Sequence, residues 1–244
     1  MIKKVLIVGG SKGIGLGIAT VLAEREEVED IYILSKTPVE EEFQNPKFRW
    51  YEYDLNSYYH FFDRFDDVDA VIVTAGFGEL KLFKDIPSEK IEEYFQVNTF
   101  PTMKLVHQYY DRLEGENDFY FCVLGSIAGF MSSPYFSIYG ATKAALKIFI
   151  ESVNVELRKG GSSNRILNVS PGSIKGTSFN GEKTDLNVVV PLAKEIITHM
   201  EKKDEIFIPQ YDEVFKDVLE RYHQDFRTEG DHSYDYKKKR LETL

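Results

Sequence analysis

The chain has 244 residues, of which 43% are hydrophobic and 29% are charged, and its formal net charge is −10. These values are typical of one soluble globular domain with a substantial core, and they exclude a largely disordered chain. The acidic balance also argues against nucleic acid or an anionic membrane as a partner, because both attract basic surfaces.

Individual residue types bear on the cellular compartment and on metal binding. The single cysteine, Cys122, precludes an intrachain disulfide and predicts a buried thiol in a reducing compartment, the cytoplasm. The first apolar run, residues 5–8, is too short for a secretory signal, and no run has the length of a membrane span. The five histidines lack metal-ligand spacing, so we expect no metal site. The basic run at residues 237–240 is interpreted as a solvated tail.

Short apolar runs alternate with helical patterns along the chain. The predicted strands are residues 5–8, 31–34, 48–53, 70–74, 119–124, 165–169 and 205–208. Helical patterns follow the glycine-rich residues 9–17 and occupy residues 88–113, 139–158 and 192–202, with Ser88 expected to cap the first turn of the 88–113 helix. This alternation predicts an α/β fold of one domain, a doubly wound parallel sheet with helices on both faces. Residues 1–210 form its body, and residues 211–244 are predicted to add a C-terminal helix and a charged tail to the same domain.

A glycine-rich loop follows the first predicted strand and opens the first helix. Its pattern is Gly-x-x-x-Gly-x-Gly at Gly9, Gly13 and Gly15. A P-loop is excluded, because Leu16 and Gly17 stand where lysine and serine or threonine are required. Such glycines let backbone N–H groups approach a pyrophosphate at the positive end of a helix. The alternative reading is a tight turn that binds nothing.

A serine, a tyrosine and a lysine form a second pattern. Tyr139 and Lys143 are four residues apart on a predicted helix, which places them on one face, and Ser126 precedes them at a strand end. Two other Tyr-x-x-x-Lys pairs begin at Tyr32 and Tyr234, but neither has a serine thirteen positions earlier. Such a cluster can protonate a carbonyl oxygen, although an exposed tyrosine and a solvated lysine would fit the spacing as well.

The glycine pattern, Ser126, Tyr139-x-x-x-Lys143 and Asn98 together resemble the short-chain dehydrogenase/reductase family, from residue 1 to about residue 210. The resemblance implies a Rossmann-like fold. Two motifs depart from the family: Val8 stands where threonine is usual, and Val73-Thr74-Ala75-Gly76 keeps only the last two residues of Asn-Asn-Ala-Gly. These changes are expected to remove side-chain hydrogen bonds that brace the glycine loop, while cofactor binding survives.

The resemblance also implies residue roles. Tyr139 is the acid/base, Ser126 stabilises the substrate oxygen, Lys143 tunes Tyr139 and binds the nicotinamide ribose, and Asn98 holds a water in a proton relay. Lys143 and oxidised nicotinamide are expected to lower the pKa of Tyr139 from its usual value of about 10. Thr177 is expected to reach the carboxamide. The implied cofactor-binding residues are Gly9, Ser11, Lys12, Gly13, Ile14, Gly15, Ser35, Lys36, Asp54, Leu55, Ala75, Gly76, Tyr139, Lys143, Pro171, Gly172, Ile174 and Thr177.

Charge near the second strand bears on the choice of dinucleotide. An acidic residue at the end of that strand would bind an adenine-ribose diol and repel a 2′-phosphate. This chain has Ser35 and Lys36 there, with Lys12 facing the same region. The sequence therefore favours NADP(H) over NAD(H) by charge complementarity.

We therefore expect NADPH-dependent reduction of a ketone or aldehyde to an alcohol, with a small carbonyl or alcohol compound as substrate. A catalytically silent nucleotide-binding sensor or scaffold, and an epimerase or dehydratase of related fold, are the alternatives. Substrate choice is expected to depend on an apolar wall formed by Phe130, Met131, Tyr135, Phe136 and Phe179. The family resemblance also implies a homodimer or homotetramer. The segment at residues 211–226 is expected to cover either the cleft or a subunit contact.

Overall fold

Seven parallel strands form the centre of the protein. The computed structural model describes residues 1–56, 59–177, 179 and 181–242. Every predicted strand is present, and their order across the sheet is β3-β2-β1-β4-β5-β6-β7. Their bounds are β1 (Lys4–Val8), β2 (Asp30–Ser35), β3 (Phe48–Glu52), β4 (Ala70–Val73), β5 (Tyr120–Leu124), β6 (Ile166–Val169) and β7 (Ile206–Phe207).

Helices cover both faces of the sheet, as the alternating pattern predicted. Their bounds are α1 (Gly13–Ala23), α2 (Ser88–Asn98), α3 (Phe100–Gln108), α4 (Tyr110–Glu114), α5 (Ser137–Lys159), α6 (Leu186–Glu201), α7 (Lys216–Gln224) and α8 (Phe226–Glu242). Helices α1 and α6 share one hydrophobic core with the sheet, and α3 and α5 share the other. In β1, Leu6 faces the second core and Ile7 the first, which is the alternation of a strand buried on both sides.

The helix predicted over residues 88–113 is interrupted twice. Its first break is at Thr99, whose φ of −123° and ψ of −61° are not helical. Pro101 lies in the first turn of α3, where its missing N–H costs no intrahelical bond. The prediction that Ser88 caps this helix was wrong: α2 begins at Ser88, which is preceded by Pro87 at the cap position, and the Ser88 hydroxyl donates to Glu89.

Helix α6 begins six residues before the predicted start at residue 192. Asp185 caps it by accepting the backbone N–H of Asn187 at 2.9 Å. Pro191 lies inside the helix, but the helix continues, since residues on both sides bury apolar side chains such as Val189 and Leu192 against α1 and the sheet. Tertiary packing here outweighs the local preference against proline.

The expectation of a solvated tail at residues 237–240 holds for the exposed Lys238 and Lys239 and was wrong for Lys237 and Arg240. These residues belong to α8, and the ammonium of Lys237 donates to the Ser133 hydroxyl at 2.6 Å. Arg240 donates to the Ser173 hydroxyl. The helix was hidden from sequence reasoning because its charged composition gives a weak apolar pattern, and its position depends on residues distant in the chain.

The carboxyl ends of β1, β4, β5 and β6 lie along one edge of the sheet, because the strands are parallel neighbours. Strand order reverses between β1 and β4, the position where doubly wound sheets bind ligands. Within the described ranges, no helix has the length and apolar character needed to cross a membrane. The same part of the chain holds no group of three potential metal ligands among its His, Cys, Asp and Glu residues.

Candidate active site

The glycine loop turns sharply from β1 into α1. Gly9 has φ of +93° and Gly13 has φ of +54°, both in the left-handed region that favours glycine. A Cβ atom at Gly9 would lie 2.5 Å from the backbone nitrogen of Ala75, so the loop packs directly on the chain that follows β4. Ser11 and Ile14 are buried within the loop. The turn brings the amino-terminal N–H groups of α1 to the ligand-binding edge of the sheet.

Thr74 braces this loop from the neighbouring strand. Its Oγ1 donates to the carbonyl oxygen of Gly9 at 3.1 Å and lies 3.3 Å from that of Val8. The expectation that the altered motifs leave the loop without side-chain bonds was therefore wrong. Position 8 lacks the threonine that is usual in the resembled family. Thr74, at the end of the adjacent strand, supplies the bracing hydroxyl instead. It stands in a motif position where that family has asparagine. Sequence comparison of each motif by itself missed this exchange because the two positions meet only across the sheet.

The first turn of α1 has a partner that the sequence did not reveal. Lys12 is its cap residue but forms no side-chain capping bond. Instead, the N–H of Gly13 donates to the Thr184 hydroxyl at 2.8 Å. Thr177 is also close to this turn, since a Cβ atom at Gly13 would lie 3.6 Å from the Thr177 Cβ atom. The Thr177 hydroxyl donates to the carbonyl oxygen of Ile174, which holds it beside the glycine loop.

An open cleft of about 280 Å³ lies at the carboxyl ends of β1, β2 and β4. Its walls are mainly apolar, and polar groups enter from the end of β2. It brings together Gly9, Ser35, Lys36, Leu55, Ala75 and Gly76 from the predicted cofactor set. It also includes Val8, Leu34, Tyr53, Phe77, Glu93 and Val97, which sequence reasoning did not name.

Lys36 and Asp54 form an ion pair across the mouth of this cleft, with Nζ and Oδ2 3.0 Å apart. Strand β2 itself ends without a carboxylate, as the sequence showed, and the partner of Lys36 comes from the segment after β3. Both side chains are partly exposed, so the pair remains open to exchange with another anion. The Ser35 hydroxyl accepts from Trp50 Nε1 at 3.0 Å and donates to the carbonyl oxygen of Thr37.

Ser126, Tyr139 and Lys143 come together at the ends of β4, β5 and β6. Tyr139 and Lys143 lie one turn apart on α5, with the ammonium 5.7 Å from the centre of the phenol ring. The Lys143 ammonium donates to the carbonyl oxygen of Leu124 at 2.8 Å, which anchors it to the end of β5. Ser126 accepts the N–H of Ala128 at 3.1 Å and is hydrogen-bonded to the phenol of Tyr139.

Burial shifts the pKa of both titratable members of this cluster. Desolvation raises the pKa of Tyr139 to about 12, and the hydrogen bond with Ser126 offsets only part of this effect. Desolvation likewise lowers the pKa of Lys143 to about 8. The expected direction for Tyr139 was therefore wrong for the protein side chains alone, since burial of the phenol raises its pKa and Ser126 lowers it only in part.

Asn98 forms hydrogen bonds with the backbone beside the cluster. Its side-chain oxygen accepts the N–H of Phe77 at 2.9 Å, and its amide donates to the carbonyl oxygen of the same residue at 2.9 Å. The amide also lies 3.3 Å from the Thr142 hydroxyl. A Cβ atom at Gly76 would be 3.3 Å from the Asn98 oxygen and 3.5 Å from the Lys143 ammonium. Asn98 therefore fixes the backbone of Phe77, which lines the cleft.

Two covering elements close the site. The rings of Phe136 and Phe179 lie 5.4 Å and 5.2 Å from the ring of Tyr139, which confirms part of the predicted apolar wall. On the other side, the Pro171 carbonyl accepts the N–H of Ile127, and Gly172 is covered by Phe215. A Cβ atom at Gly172 would be 2.6 Å from the Phe215 ring. The segment after β7 thus packs on the turn that follows β6.

Comparisons with known proteins identify the family. The model of the short chain dehydrogenase family matches residues 3–187. The chain belongs to this family of oxidoreductases. The oxidoreductase TDA5 of Saccharomyces cerevisiae, described as uncharacterized, is 25% identical over 213 residues, which is 81% of this chain. The match covers 65% of TDA5, so the chain spans just under two thirds of that relative's length.

Solved structures show the same fold. A short-chain dehydrogenase from Sphingobium yanoikuyae in complex with NADPH has a TM-score of 0.74 at 22% identity, and the match covers 93% of this chain and 95% of that one. A short-chain dehydrogenase from Burkholderia cenocepacia J2315 in complex with NADP has a TM-score of 0.71 at 18% identity, covering 90% and 96%.

Proposed function

We propose that the protein is an NADP(H)-dependent oxidoreductase that interconverts a ketone or aldehyde and an alcohol. The convergence of Ser126, Tyr139 and Lys143 at one edge of the sheet carries this proposal. A carbonyl that accepts hydride develops negative charge on oxygen, so it needs a hydrogen-bond donor and a proton source at that atom. Reduced nicotinamide would supply the hydride when bound.

Each of the three side chains has a separate task in the reductive direction. Tyr139 donates its phenolic proton to the carbonyl oxygen; with a pKa of about 12 it is protonated at neutral pH, as an acid must be. Ser126 donates a hydrogen bond to the same oxygen. Lys143, held by the carbonyl of Leu124, stabilises the phenolate that remains and binds the nicotinamide ribose. Asn98 fixes the Phe77 backbone and holds the water through which the proton of Tyr139 is replaced.

The described residues fit a dinucleotide with a 2′-phosphate. The Ile14 N–H at the start of α1 suits a pyrophosphate, as does the Gly13 N–H once it leaves the Thr184 hydroxyl, and the apolar cleft beside Leu55 suits adenosine. No carboxylate ends β2, and Lys12 and Lys36 supply positive charge near its carboxyl end. The NADP and NADPH complexes among the structural neighbours support the same choice. On cofactor binding, Lys36 would leave Asp54 and pair with the 2′-phosphate. The observed ion pair is therefore compatible with a role of Lys36 in phosphate binding.

Substitution of Tyr139 by phenylalanine tests the proposal. Tyr139→Phe should lower kcat for carbonyl reduction by about 100- to 10,000-fold, because it removes the proton donor, while NADPH affinity stays unchanged. NADPH absorbance measures turnover against a carbonyl panel, and NADPH fluorescence measures binding. Tyr32→Phe is the matched control, since it alters a Tyr-x-x-x-Lys pair on β2 outside the cluster.

The same assays separate the alternatives. Retained turnover in Tyr139→Phe would contradict the role given to the phenol. Tight NADPH binding by the unaltered protein without consumption of any carbonyl would favour a nucleotide sensor or scaffold. Conversion of a substrate without net oxidation of NADPH would favour an epimerase or dehydratase.

We further propose that the protein forms a homodimer or homotetramer. Phe100 on α3 and Ile148 and Val155 on α5 are exposed apolar side chains, and their burial between copies would remove them from water. Light scattering of the purified protein should give twice or four times the mass of one chain. A monomer at all concentrations would contradict this assembly.

A further inference from the structure

Helix α8 lies across the two loops that flank the catalytic cluster. One loop, after β5, contains Ser126 and the aromatic wall, and the other, after β6, contains the Pro171 turn. Tyr135 in the first loop has φ of +64°, an uncommon conformation for a bulky residue, and α8 packs directly on it. The contacts, from the start of the helix to its end, are Gly230 with Ser132, Tyr234 with Tyr135, Lys237 with Ser133 and Arg240 with Ser173.

Lys237 is the residue of this helix that contacts Phe136 of the wall. Its ammonium donates to the Ser133 hydroxyl at 2.6 Å and lies 5.6 Å from the centre of the Phe136 ring. Burial lowers its pKa to about 8. Among the described residues, no carboxylate is paired with this ammonium, in contrast to Lys36, Lys90 and Lys147, which all pair with acids.

A half-buried cation without a carboxylate partner is unexpected in a chain so rich in acids. The protein has 40 acidic and 30 basic residues, so acids to neutralise a lysine are abundant. A single hydroxyl and the face of a ring compensate only part of the lost hydration of an ammonium. An anion that binds the Lys237 ammonium during function would supply the missing negative partner.

One aromatic ring separates Lys237 from the catalytic tyrosine. The centre of the Phe136 ring lies 5.6 Å from the ammonium and 5.4 Å from the centre of the Tyr139 ring. Phe179 lies 6.0 Å from Phe136 and 5.2 Å from Tyr139, so an apolar strip connects the two polar groups. A molecule bound along this strip would place its reactive carbonyl at Tyr139 and its far end near Lys237.

We propose that Lys237 and Ser133 bind the carboxylate of the substrate, so that the protein acts on carbonyl compounds that carry a carboxylate beyond an apolar or aromatic spacer. This inference rests on the proposed function and specifies its substrate class. The ammonium donates to one carboxylate oxygen and the Ser133 hydroxyl to the same group, since a serine hydroxyl can donate as well as accept. The spacer packs on Phe136 and Phe179.

A matched pair of aldehydes tests the proposal. 4-Carboxybenzaldehyde and methyl 4-formylbenzoate have the same ring and the same aldehyde, but only the first has a charge. The unaltered enzyme should have a KM at least about tenfold lower for the acid than for the ester. Lys237→Met should abolish this preference by raising KM for the acid alone, with kcat for both compounds unchanged. Lys238→Met, an exposed neighbour on α8, is the control. Lys237→Arg should retain the preference.

The pH profile provides an independent readout. KM for the acid should rise relative to KM for the ester above about pH 8, where Lys237 loses its proton. Lys143 titrates in the same range, but it affects both compounds, so the ratio of their KM values isolates Lys237. The other titratable groups around Lys237 are Tyr135, Tyr234, Asp235, Arg240 and Glu242.

Three outcomes would overturn the proposal: equal KM values for acid and ester in the unaltered enzyme, a loss in Lys237→Met that is equal for both compounds, or the same effect from Lys238→Met. If neither aldehyde nor any neutral carbonyl is reduced, the proposed function fails. The binding of 4-(hydroxymethyl)benzoate to the protein saturated with NADP⁺ then decides the inference by calorimetry. Binding that is about tenfold weaker in Lys237→Met supports the carboxylate site, and equal binding refutes it.

Discussion

The hydroxyl of Thr74 offers a direct test of how the glycine loop is held. It donates to the Gly9 carbonyl at 3.1 Å and is also 3.3 Å from the Val8 carbonyl. The two carbonyl oxygens share the one hydroxyl hydrogen of Thr74, so removal of the hydroxyl is expected to cost the energy of a single hydrogen bond. Thr74→Val keeps the shape of the side chain and removes only the donor, because valine replaces the hydroxyl with a methyl group.

The expected loss is about 1 kcal/mol in the free energy of unfolding, the usual net contribution of one hydrogen bond. The same bond fixes Gly9, whose neighbours in the loop must present their N–H groups to a pyrophosphate. If the loss of this hydrogen bond makes the loop less ordered in the absence of cofactor, part of the NADPH binding energy must be used to order it again. A cost of 1 kcal/mol corresponds to an affinity about fivefold weaker.

Urea denaturation measures the first effect, and titration of NADPH fluorescence measures the second. Thr198→Val is the matched control, since the exposed Thr198 hydroxyl donates to the carbonyl of Lys194 at 2.8 Å on α6, outside the glycine loop. The control should leave NADPH affinity unchanged. NADPH binding by Thr74→Val that is as tight as in the unaltered protein would refute the view that Thr74 organises the loop for the cofactor.

Two further predictions concern charges and caps at the site. Thr184→Val should lower the free energy of unfolding by about 1 kcal/mol, because it removes the acceptor of the Gly13 N–H. The same change should tighten NADPH binding up to about fivefold, because that N–H becomes free for the pyrophosphate. Weaker NADPH binding would instead mean that Thr184 contacts the cofactor. Lys143→Met should change how stability depends on pH. The folded pKa of Lys143, about 8, lies below the unfolded value of 10.5, so between these values the unfolded chain binds more protons and stability rises with pH by at most about 1.4 kcal/mol per unit. Urea denaturation at pH 8 and pH 10 should show this contribution in the unaltered protein and its loss in Lys143→Met, whereas parallel profiles would contradict the burial of a charged lysine.

The sequence by itself determined the sheet and the three side chains of the proposed catalytic cluster. Strands buried on both faces, such as β1 and β4, appear as uninterrupted apolar runs, and the helices between them follow from apolar spacing. Tyr139 and Lys143 share a face because helix geometry fixes residues four apart. Such features depend on neighbours in the chain, so they can be read locally.

Only the tertiary structure decided which distant residues meet. Thr74 takes over the bracing of Gly9 because β1 and β4 are adjacent, and Lys36 pairs with Asp54 because β2 lies beside β3. Residue Lys237, more than ninety positions after Lys143, reaches the wall of the same site through α8. Local patterns cannot give such pairings, because hydrogen bonds, ion pairs and burial depend on distances in space that are set once the sheet is assembled. Burial likewise set the pKa of Tyr139, since the desolvation of a side chain depends on everything that packs around it.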